Sequence, residues 1–269
     1  MSEIPSYSPP YYADYETPQP APGLFSRMLP SPMFYWRIAS EVLRSAGKAK
    51  WGTYEDADWY QSSFNIRLAI EKTGGKLSIR GTGNLAKVDG PCVIIGNHMS
   101  TAETFLLASI IRPFMPVTFV VKQSLVEYPI FKHVMRSRDP IVVGRTNPRE
   151  DLKAVLEGGK QRLASGISII IFPQRTRTVQ FDRESFNTIG VKLAKRAGVP
   201  VVPVALKTDA WSNGTLLKDY GTFYPERTFQ FEFGEPLYID GSDHPVHEAV
   251  SDFIEERLTT WGLPPASKS

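Results

Sequence analysis

The stretch from residue 93 to residue 103 combines a strand, a turn and the start of a helix, and it reads Val93-Ile94-Ile95-Gly96-Asn97-His98-Met99-Ser100-Thr101-Ala102-Glu103. Its short apolar run predicts a buried strand. Ser100, followed three residues later by Glu103, predicts the start of a helix. Such a strand–turn–helix unit is typical of an α/β fold. The turn would bring the His98 imidazole within reach of the Glu103 carboxylate.

This His98–Glu103 pair has two interpretations. In the first, Glu103 completes a capping box with Ser100, and His98 is an ordinary loop residue. In the second, Glu103 orients the imidazole, and His98 acts as a general base toward a reacting hydroxyl. Because the spacing fits both interpretations equally, the rest of the chain has to decide between them.

From residue 76 onward, apolar strand runs alternate with helical stretches. We predict strands over residues 76–80, 92–96, 117–122, 140–144, 167–172, 199–206 and 228–233. Helices are predicted near residues 101–111, 129–136, 148–163, 186–197 and 246–261. This order predicts an α/β domain over residues 76–269, with a mixed, largely parallel sheet flanked by helices. Ligands of such sheets bind at the carboxyl ends of the strands, where His98 is expected.

The composition is that of an ordinary globular protein, with 42% apolar and 22% charged residues. No apolar run approaches the roughly 20 residues that a membrane-spanning helix needs, and no secretory signal is recognisable at the start. Cys92 is the only cysteine, which excludes an internal disulfide and a thiolate metal cluster within one chain. We therefore expect a cytoplasmic protein with no metal site.

Two segments precede the α/β domain. Residues 1–23 are rich in proline and tyrosine and predict a disordered tail. Residues 24–75 predict a unit of two amphipathic helices, the first of which either packs on the domain core or lies in a membrane interface. The side chains of this first helix that would contact lipid are Tyr35, Trp36, Arg37 and Arg44.

Charge is unevenly distributed along the chain. The charged residues between positions 24 and 50 are mostly basic, whereas those between positions 219 and 257 are mostly acidic. The basic segment 24–50 would be attracted to an anionic surface, either a nucleic acid or a membrane. Because no recognition helix and no aromatic–basic sheet motif accompanies it, nucleic acid is disfavoured.

Cations follow three further strands of the predicted sheet. They are Lys122, Arg145, Arg175 and Arg177, with Thr176 as an added hydrogen-bond donor. Guanidinium groups match the geometry of phosphate. Since these strand ends would lie at one edge of the sheet together with His98, they predict a single site for a phosphate-bearing substrate.

The order of these motifs resembles the four sequence blocks of the glycerolipid acyltransferase family, of the 1-acylglycerol-3-phosphate (lysophosphatidate) acyltransferase type. The blocks are His98 to Glu103, then Gly144-Arg145, then residues 172–177, then residues 199–204. The resemblance covers about residues 76–235. Bacterial members of the family also carry a membrane-binding two-helix unit before the catalytic domain, which favours the interfacial interpretation of the first helix.

The resemblance implies transfer of a fatty acyl group from a thioester, acyl-CoA or acyl carrier protein, to the free hydroxyl of a lysophospholipid. The expected acceptor is 1-acyl-sn-glycerol-3-phosphate, and the product is phosphatidic acid. His98 would be the general base, and Glu103 would replace the family's usual aspartate. No cofactor is implied, and the protein would be peripheral on the inner face of the membrane. The acceptor phosphate would be bound by Arg145, Thr176, Arg177 and Lys122.

The third block, residues 172–177, departs from the family's Phe-Pro-Glu-Gly-Thr-Arg, because Gln174 and Arg175 replace the Glu and the Gly. The exchange adds positive charge where the acceptor phosphate is expected, so both residues are candidates for acceptor specificity. Two alternatives stay open at this point. One is an acyltransferase for another lysolipid acceptor, and the other is a lipid-binding protein of the same fold without catalysis.

Overall fold

The computed structural model describes residues 14–19, 22–215 and 218–263. Within these ranges a central sheet contains β1 (Tyr15–Glu16), β2 (Lys76–Arg80), β3 (Val93–Gly96), β4 (Val117–Lys122), β5 (Ile141–Val143), β6 (Ser168–Ile171), β7 (Val201–Lys207) and β8 (Thr228–Phe233). The strand order is β1-β2-β8-β7-β3-β6-β4-β5. The β1–β2 and β7–β8 pairs are antiparallel and the other pairs are parallel. The prediction of a mixed, largely parallel sheet is confirmed.

Helices cover both faces of the sheet. They are α1 (Leu24–Met28), α2 (Pro30–Lys50), α3 (Asp56–Lys72), α4 (Ala102–Ile111), α5 (Gln123–Glu127), α6 (Lys132–Ser137), α7 (Pro148–Ala164), α8 (Ile189–Ala197) and α9 (His244–Thr260). Buried side chains of α2, α3, α4 and α6 form one apolar cluster, and those of α7, α8 and α9 form another. Because successive strand residues point to opposite faces, Ile94 joins the first cluster, and Val93 and Ile95 join the second.

Strand β3 lies in the middle of the sheet, between β6 and β7. All four of its residues are buried, as expected for a parallel strand covered by helices on both faces. This burial explains why its sequence is a continuous apolar run instead of an alternating one. The central position places the residues after Gly96 at the middle of the carboxyl edge of the parallel strands.

Part of the predicted tail belongs to the sheet. Tyr15 and Glu16 pair antiparallel with β2, and the Leu77 backbone N–H donates to the Thr17 hydroxyl at 2.9 Å. The Tyr15 hydroxyl also donates to the Glu71 carboxylate at 2.6 Å. These contacts make the prediction of disorder wrong for residues 14–19. Residues 1–13 and 20–21 of the predicted tail lie outside the described residues.

The helices before the α/β domain pack directly against it. The Phe34 ring of α2 stacks on Phe223 with centroids 4.3 Å apart, and it meets Trp211 edge-on at 4.8 Å. In α3, the Ser63 hydroxyl accepts a hydrogen bond from the Ser109 backbone N–H of α4 at 2.9 Å. The helices of residues 24–75 therefore share a core with the sheet. None of the helices in the described ranges has the length and hydrophobicity that crossing a bilayer requires.

Candidate active site

His98 and Glu103 form a hydrogen-bonded pair just beyond β3. The Nδ1 atom of His98 lies 2.7 Å from the Oε2 atom of Glu103. The Glu103 side chain is fully buried in the first turn of α4, while the His98 side chain keeps 16% of its surface exposed. Since a carboxylate only accepts hydrogen bonds, Nδ1 carries a proton, and in the neutral imidazole Nε2 then has the free lone pair that a general base needs.

Contacts with the third block fix the position of His98. Its ring stacks on Phe172, with centroids 4.6 Å apart and 6° between the planes. Its backbone N–H donates to Oε1 of Gln174 at 2.6 Å, and its carbonyl accepts from the Thr178 N–H at 3.0 Å. The imidazole is therefore held by the neighbouring strand end as well as by Glu103.

Glu103 also has part of the role that a capping box would give it. Its Oε1 atom accepts from the backbone N–H groups of Ser100 at 2.8 Å and Met99 at 3.1 Å. The Ser100 hydroxyl accepts from the Ala102 N–H at 3.1 Å, one residue earlier than the box predicts. One oxygen of the carboxylate thus caps the turn while the other orients His98, so the two interpretations of the sequence are compatible.

The end of β3 is closed tightly against β7. The Asn97 side chain makes two hydrogen bonds to the backbone of Leu206, of 2.7 and 2.8 Å. At Gly96 an added Cβ would lie 2.7 Å from Val204 Cγ1, so only glycine allows this approach. These contacts place His98 immediately after a rigid strand end.

A cavity of about 990 Å³ opens beside the third block. Phe172 and Gln174, which both contact His98, are also part of its lining. The cavity therefore begins one side chain away from the imidazole. Its lining contains apolar side chains, among them Val143, Val155 and Ile171, together with three cations and three carboxylates: Arg145, Arg175, Lys192, Asp151, Asp182 and Glu184. The apolar and cationic groups of this lining suit the chain and the headgroup of an amphiphilic anion.

Arg145 lies at this cavity in an unusual backbone conformation, with φ of 60°. The backbone N–H groups of Gly144 and Arg145 both donate to Oδ1 of Asp151, at 2.9 and 3.2 Å. The guanidinium donates to the backbone carbonyl of Arg175. Desolvation lowers the pKa of Arg145, with partial compensation by the Asp151 carboxylate. Arg145 is exposed at the cavity, so its guanidinium is open to an anionic ligand.

Arg177 does not line this cavity and contacts Thr101 and Asp219 instead. Its guanidinium donates to the Thr101 hydroxyl and lies 2.7 Å from Oδ1 of Asp219. Its side chain is 16% exposed. The structure therefore divides the predicted phosphate-binding residues, because Arg145 and Thr176 line the cavity while Arg177 lies beside the start of α4. Lys122 is exposed at the end of β4 and is not among the cavity-lining residues.

The two unusual residues of the third block have different surroundings. Gln174 is 3% exposed, and its Nε2 atom donates to the Thr178 hydroxyl at 2.8 Å while Oε1 accepts from His98. Both ends of its amide are therefore hydrogen-bonded within the protein, while the side chain also lines the cavity. Its part in acceptor specificity stays a prediction. Arg175 is exposed at the cavity, as acceptor specificity would require.

The four residues predicted to bind a membrane differ in their exposure. Trp36 is 71% exposed, and Arg44 is exposed beside Glu41. Tyr35 instead donates to the Gly221 carbonyl and accepts from the Trp211 indole at 3.0 Å, and burial raises its pKa to about 12. These hydrogen bonds hold the Tyr35 hydroxyl within the protein, and contact of its half-buried ring with lipid stays a prediction. Arg37 is half-buried.

Comparison with known proteins identifies the family of this chain. Residues 76–207 match the Acyltransferase family model. A 1-acyl-sn-glycerol-3-phosphate acyltransferase of Pseudomonas aeruginosa is 34% identical over 199 residues, which are 74% of this chain and 72% of that protein. The chain belongs to this acyltransferase family. A family member named 1-acyl-sn-glycerol-3-phosphate acyltransferase from Chlamydomonas reinhardtii is 32% identical over 131 residues, 49% of this chain and 38% of that protein.

A solved structure of another protein has a similar fold. The crystal structure of the 1-acyl-sn-glycerophosphate (LPA) acyltransferase, PlsC, from Thermotoga maritima matches with a TM-score of 0.60 at 19% identity. The match covers 89% of this chain and 98% of that chain. The resemblance to the glycerolipid acyltransferase family, stated from the sequence blocks, is confirmed.

Sequence reasoning missed one residue of the site. Thr208 follows β7 directly, is fully buried, and donates from its hydroxyl to Oε1 of Glu103. The two residues are 105 positions apart in the chain. One feature of the sequence could have indicated Thr208: it follows the predicted strand β7. In the structure β7 pairs with β3, the strand that precedes His98.

Proposed function

We propose that this acyltransferase moves a fatty acyl group from a thioester to the free hydroxyl of 1-acyl-sn-glycerol-3-phosphate and so forms phosphatidic acid. The donor is acyl-CoA or acyl carrier protein. The observation that carries the proposal is the His98–Glu103 hydrogen bond of 2.7 Å beside an amphiphilic cavity, in a chain whose relatives are named for this reaction.

The mechanism assigns one proton transfer to His98. Nε2 removes the proton of the acceptor hydroxyl as its oxygen attacks the thioester carbonyl. The tetrahedral intermediate then breaks its C–S bond, and the imidazolium returns the proton to the departing thiolate. Assistance of this kind is typically worth about 10²–10⁴ in rate. Glu103 keeps Nδ1 protonated and the ring oriented throughout, and no cofactor takes part.

Thiol release tests the reaction. The full chain is mixed with palmitoyl-CoA or palmitoyl-acyl carrier protein and with a panel of lysolipids, and free thiol and lipid products are measured. We expect thiol release that depends on lysophosphatidate and an equal amount of phosphatidic acid. Dependence on another lysolipid would assign a different acceptor, and lysolipid binding without any thiol release would assign a lipid-binding protein instead of an enzyme.

The acceptor phosphate gives a second test through Arg177. Charge-assisted hydrogen bonds to a phosphate contribute about 1.5–3 kcal/mol, so Arg177→Ala should raise the KM for lysophosphatidate roughly 10–100-fold. The KM for the thioester donor should stay within about twofold. Kinetics with each substrate varied in turn measure both values.

Asp219→Asn is the complementary variant. It removes the carboxylate that lies 2.7 Å from the Arg177 guanidinium, so the phosphate no longer competes with it. The KM for lysophosphatidate should fall by about threefold, in the direction opposite to that of Arg177→Ala. An unchanged acceptor KM in both variants would remove Arg177 from the phosphate site.

We also propose that the protein binds the cytoplasmic face of a membrane as a peripheral protein, through the outer face of α1 and α2. The exposed apolar side chains in and beside these helices are Leu24, Phe25, Met28, Leu29, Trp36, Leu43 and Trp51. Trp36 and Leu43 are two helical turns apart and lie on one face. The basic residues of this region, such as Arg27 and Lys50, suit anionic lipid headgroups.

Removing two of these apolar side chains should weaken membrane binding. Trp36→Ser combined with Leu43→Ser should lower partitioning into phosphatidylglycerol vesicles roughly tenfold or more, because two large apolar side chains no longer enter the interface. Co-sedimentation measures the partitioning. Tyr238→Ser is the matched control, since Tyr238 is 67% exposed and lies outside both helices. Equal sedimentation of the double variant and the wild type would refute this surface.

A further inference from the structure

We propose that Thr208 is a positioning residue for the reaction, and that its hydroxyl holds the Glu103 carboxylate in the orientation that aims Oε2 at His98. Thr208 touches neither substrate nor the reacting atoms and acts through Glu103. The inference rests on the proposed function for its kinetic effect, but the contact itself is independent of which lysolipid is the acceptor.

The carboxylate oxygens of Glu103 have separate sets of partners. Oε2 faces Nδ1 of His98. Oε1 accepts from the backbone N–H groups of Met99 and Ser100 and from the hydroxyl of Thr208. The two backbone donors belong to the same short turn as His98. Thr208, at the end of β7, therefore connects the carboxylate to a different strand of the sheet.

The hydrogen bonds around Thr208 have one consistent direction. A carboxylate only accepts, so the Thr208 hydroxyl hydrogen is directed to Glu103. The lone pairs of Thr208 are then free to accept from the Ser100 hydroxyl at 2.9 Å. The Ser100 oxygen in turn accepts from the Ala102 N–H at 3.1 Å. Since each hydroxyl hydrogen has a single assigned acceptor, the chain fixes its members instead of letting them rotate.

A glutamate needs such an anchor more than an aspartate does. Its side chain has one additional torsion, and the terminal torsion of a carboxylate is broad and roughly two-fold. Rotation about that torsion would turn Oε2 away from the imidazole. The backbone of Thr208 is attached to the turn that contains His98 and Met99, because its N–H donates to the Met99 sulfur at 3.3 Å. The same turn is held by Asn213, whose side-chain amide donates to the Met99 carbonyl at 2.9 Å.

Thr208→Val tests the proposal, with Thr208→Ser as the conservative variant. Valine keeps the volume and removes the hydroxyl, so kcat should fall about tenfold or more while both KM values stay within about twofold. Serine restores the hydroxyl and should recover most of kcat. Thr118→Val is the matched control. Thr118 is also buried, but it lies in β4 and its hydroxyl donates to the Arg138 carbonyl instead of to Glu103.

A spectroscopic measurement separates this proposal from the proposed reaction. The His98 Nδ1 proton, hydrogen-bonded to a carboxylate, should give a downfield proton NMR signal in the wild type and in Thr208→Ser, and a broadened or lost signal in Thr208→Val. Wild-type kcat in Thr208→Val, or a kcat loss that serine does not recover, would overturn the positioning role. If the wild type releases no thiol with any donor, the proposed function fails, and the proton signal alone then decides: its loss in Thr208→Val supports the role, and its persistence overturns it.

Discussion

Replacing His98 with alanine is expected to lower the rate of acyl transfer by about 10²–10⁴, the usual contribution of a positioned general base. The loss should fall on kcat, because an alcohol without a base is a poor nucleophile even when it is bound correctly. The fold should persist, since His98 lies beyond the end of β3 and Glu103 keeps its backbone donors and Thr208. Thiol-release kinetics and thermal unfolding measure the two effects.

His247→Ala is a matched control for this substitution. The His247 ring also stacks on a phenylalanine, Phe186, with centroids 5.8 Å apart. The His247→Ala variant therefore loses a comparable ring-stacking contact, but this contact lies on α9 and does not involve the His98–Glu103 pair. We expect it to keep the wild-type rate. Near-normal turnover by His98→Ala would instead remove His98 from the role of base and return it to the interpretation as a loop residue.

The sequence predicted strands β2 to β8 to within two residues at each end. The bounds of β2, β4 and β8 agree residue for residue with the prediction, because each run is bordered by polar or turn-forming residues. The short elements were missed. Strand β1 has two residues and is stabilised by Glu71 and β2, which are distant in the chain. Such an element carries no periodicity of its own, so a local pattern does not reveal it.

The site was predictable in its local part. His98 and Glu103 are five residues apart, and a strand end followed by a helix start brings them together whatever the rest of the fold does. The roles of Gln174 and Thr208 depend on which strands are neighbours, at separations of 76 and 105 residues. Strand order follows from the packing of the whole domain. Motif spacing therefore did not reveal that the Gln174 amide oxygen accepts a hydrogen bond from the His98 backbone.

The same limit explains the division of the arginines. Arg145 and Arg177 both follow strand ends, which supported a single phosphate site. The turn after Phe172 directs Arg175 to the cavity and Arg177 to Thr101. Which arginine binds the acceptor phosphate depends on the backbone conformation of this turn. The spacing of the motifs carries no information about that conformation. The opposite KM shifts expected for Arg177→Ala and Asp219→Asn address this point directly.

Glu103→Gln is expected to lower kcat by about 10³–10⁴ while leaving the fold intact. Three donors surround the Oε1 position, so the amide oxygen must stay there and the NH₂ group must face Nδ1 of His98. An amide N–H donates, so the imidazole has to accept at Nδ1 and carry its proton on Nε2. The lone pair that would remove the acceptor proton is then lost. A wrong tautomer imposed in this way costs about 10⁴ in the serine-protease triad.

Glu103→Ala should differ from Glu103→Gln in stability. Alanine leaves the Met99 and Ser100 N–H groups and the Thr208 hydroxyl without their buried acceptor, and each unsatisfied group costs about 1–3 kcal/mol. Its Tm should fall well below that of Glu103→Gln, in which Oε1 is replaced by an amide oxygen. Glu41→Gln is the control, because Glu41 is also nearly buried but pairs with Arg44 on α2. If Glu103→Gln kept the wild-type kcat, Glu103 would only cap α4, since the tautomer of His98 would then not matter to the rate.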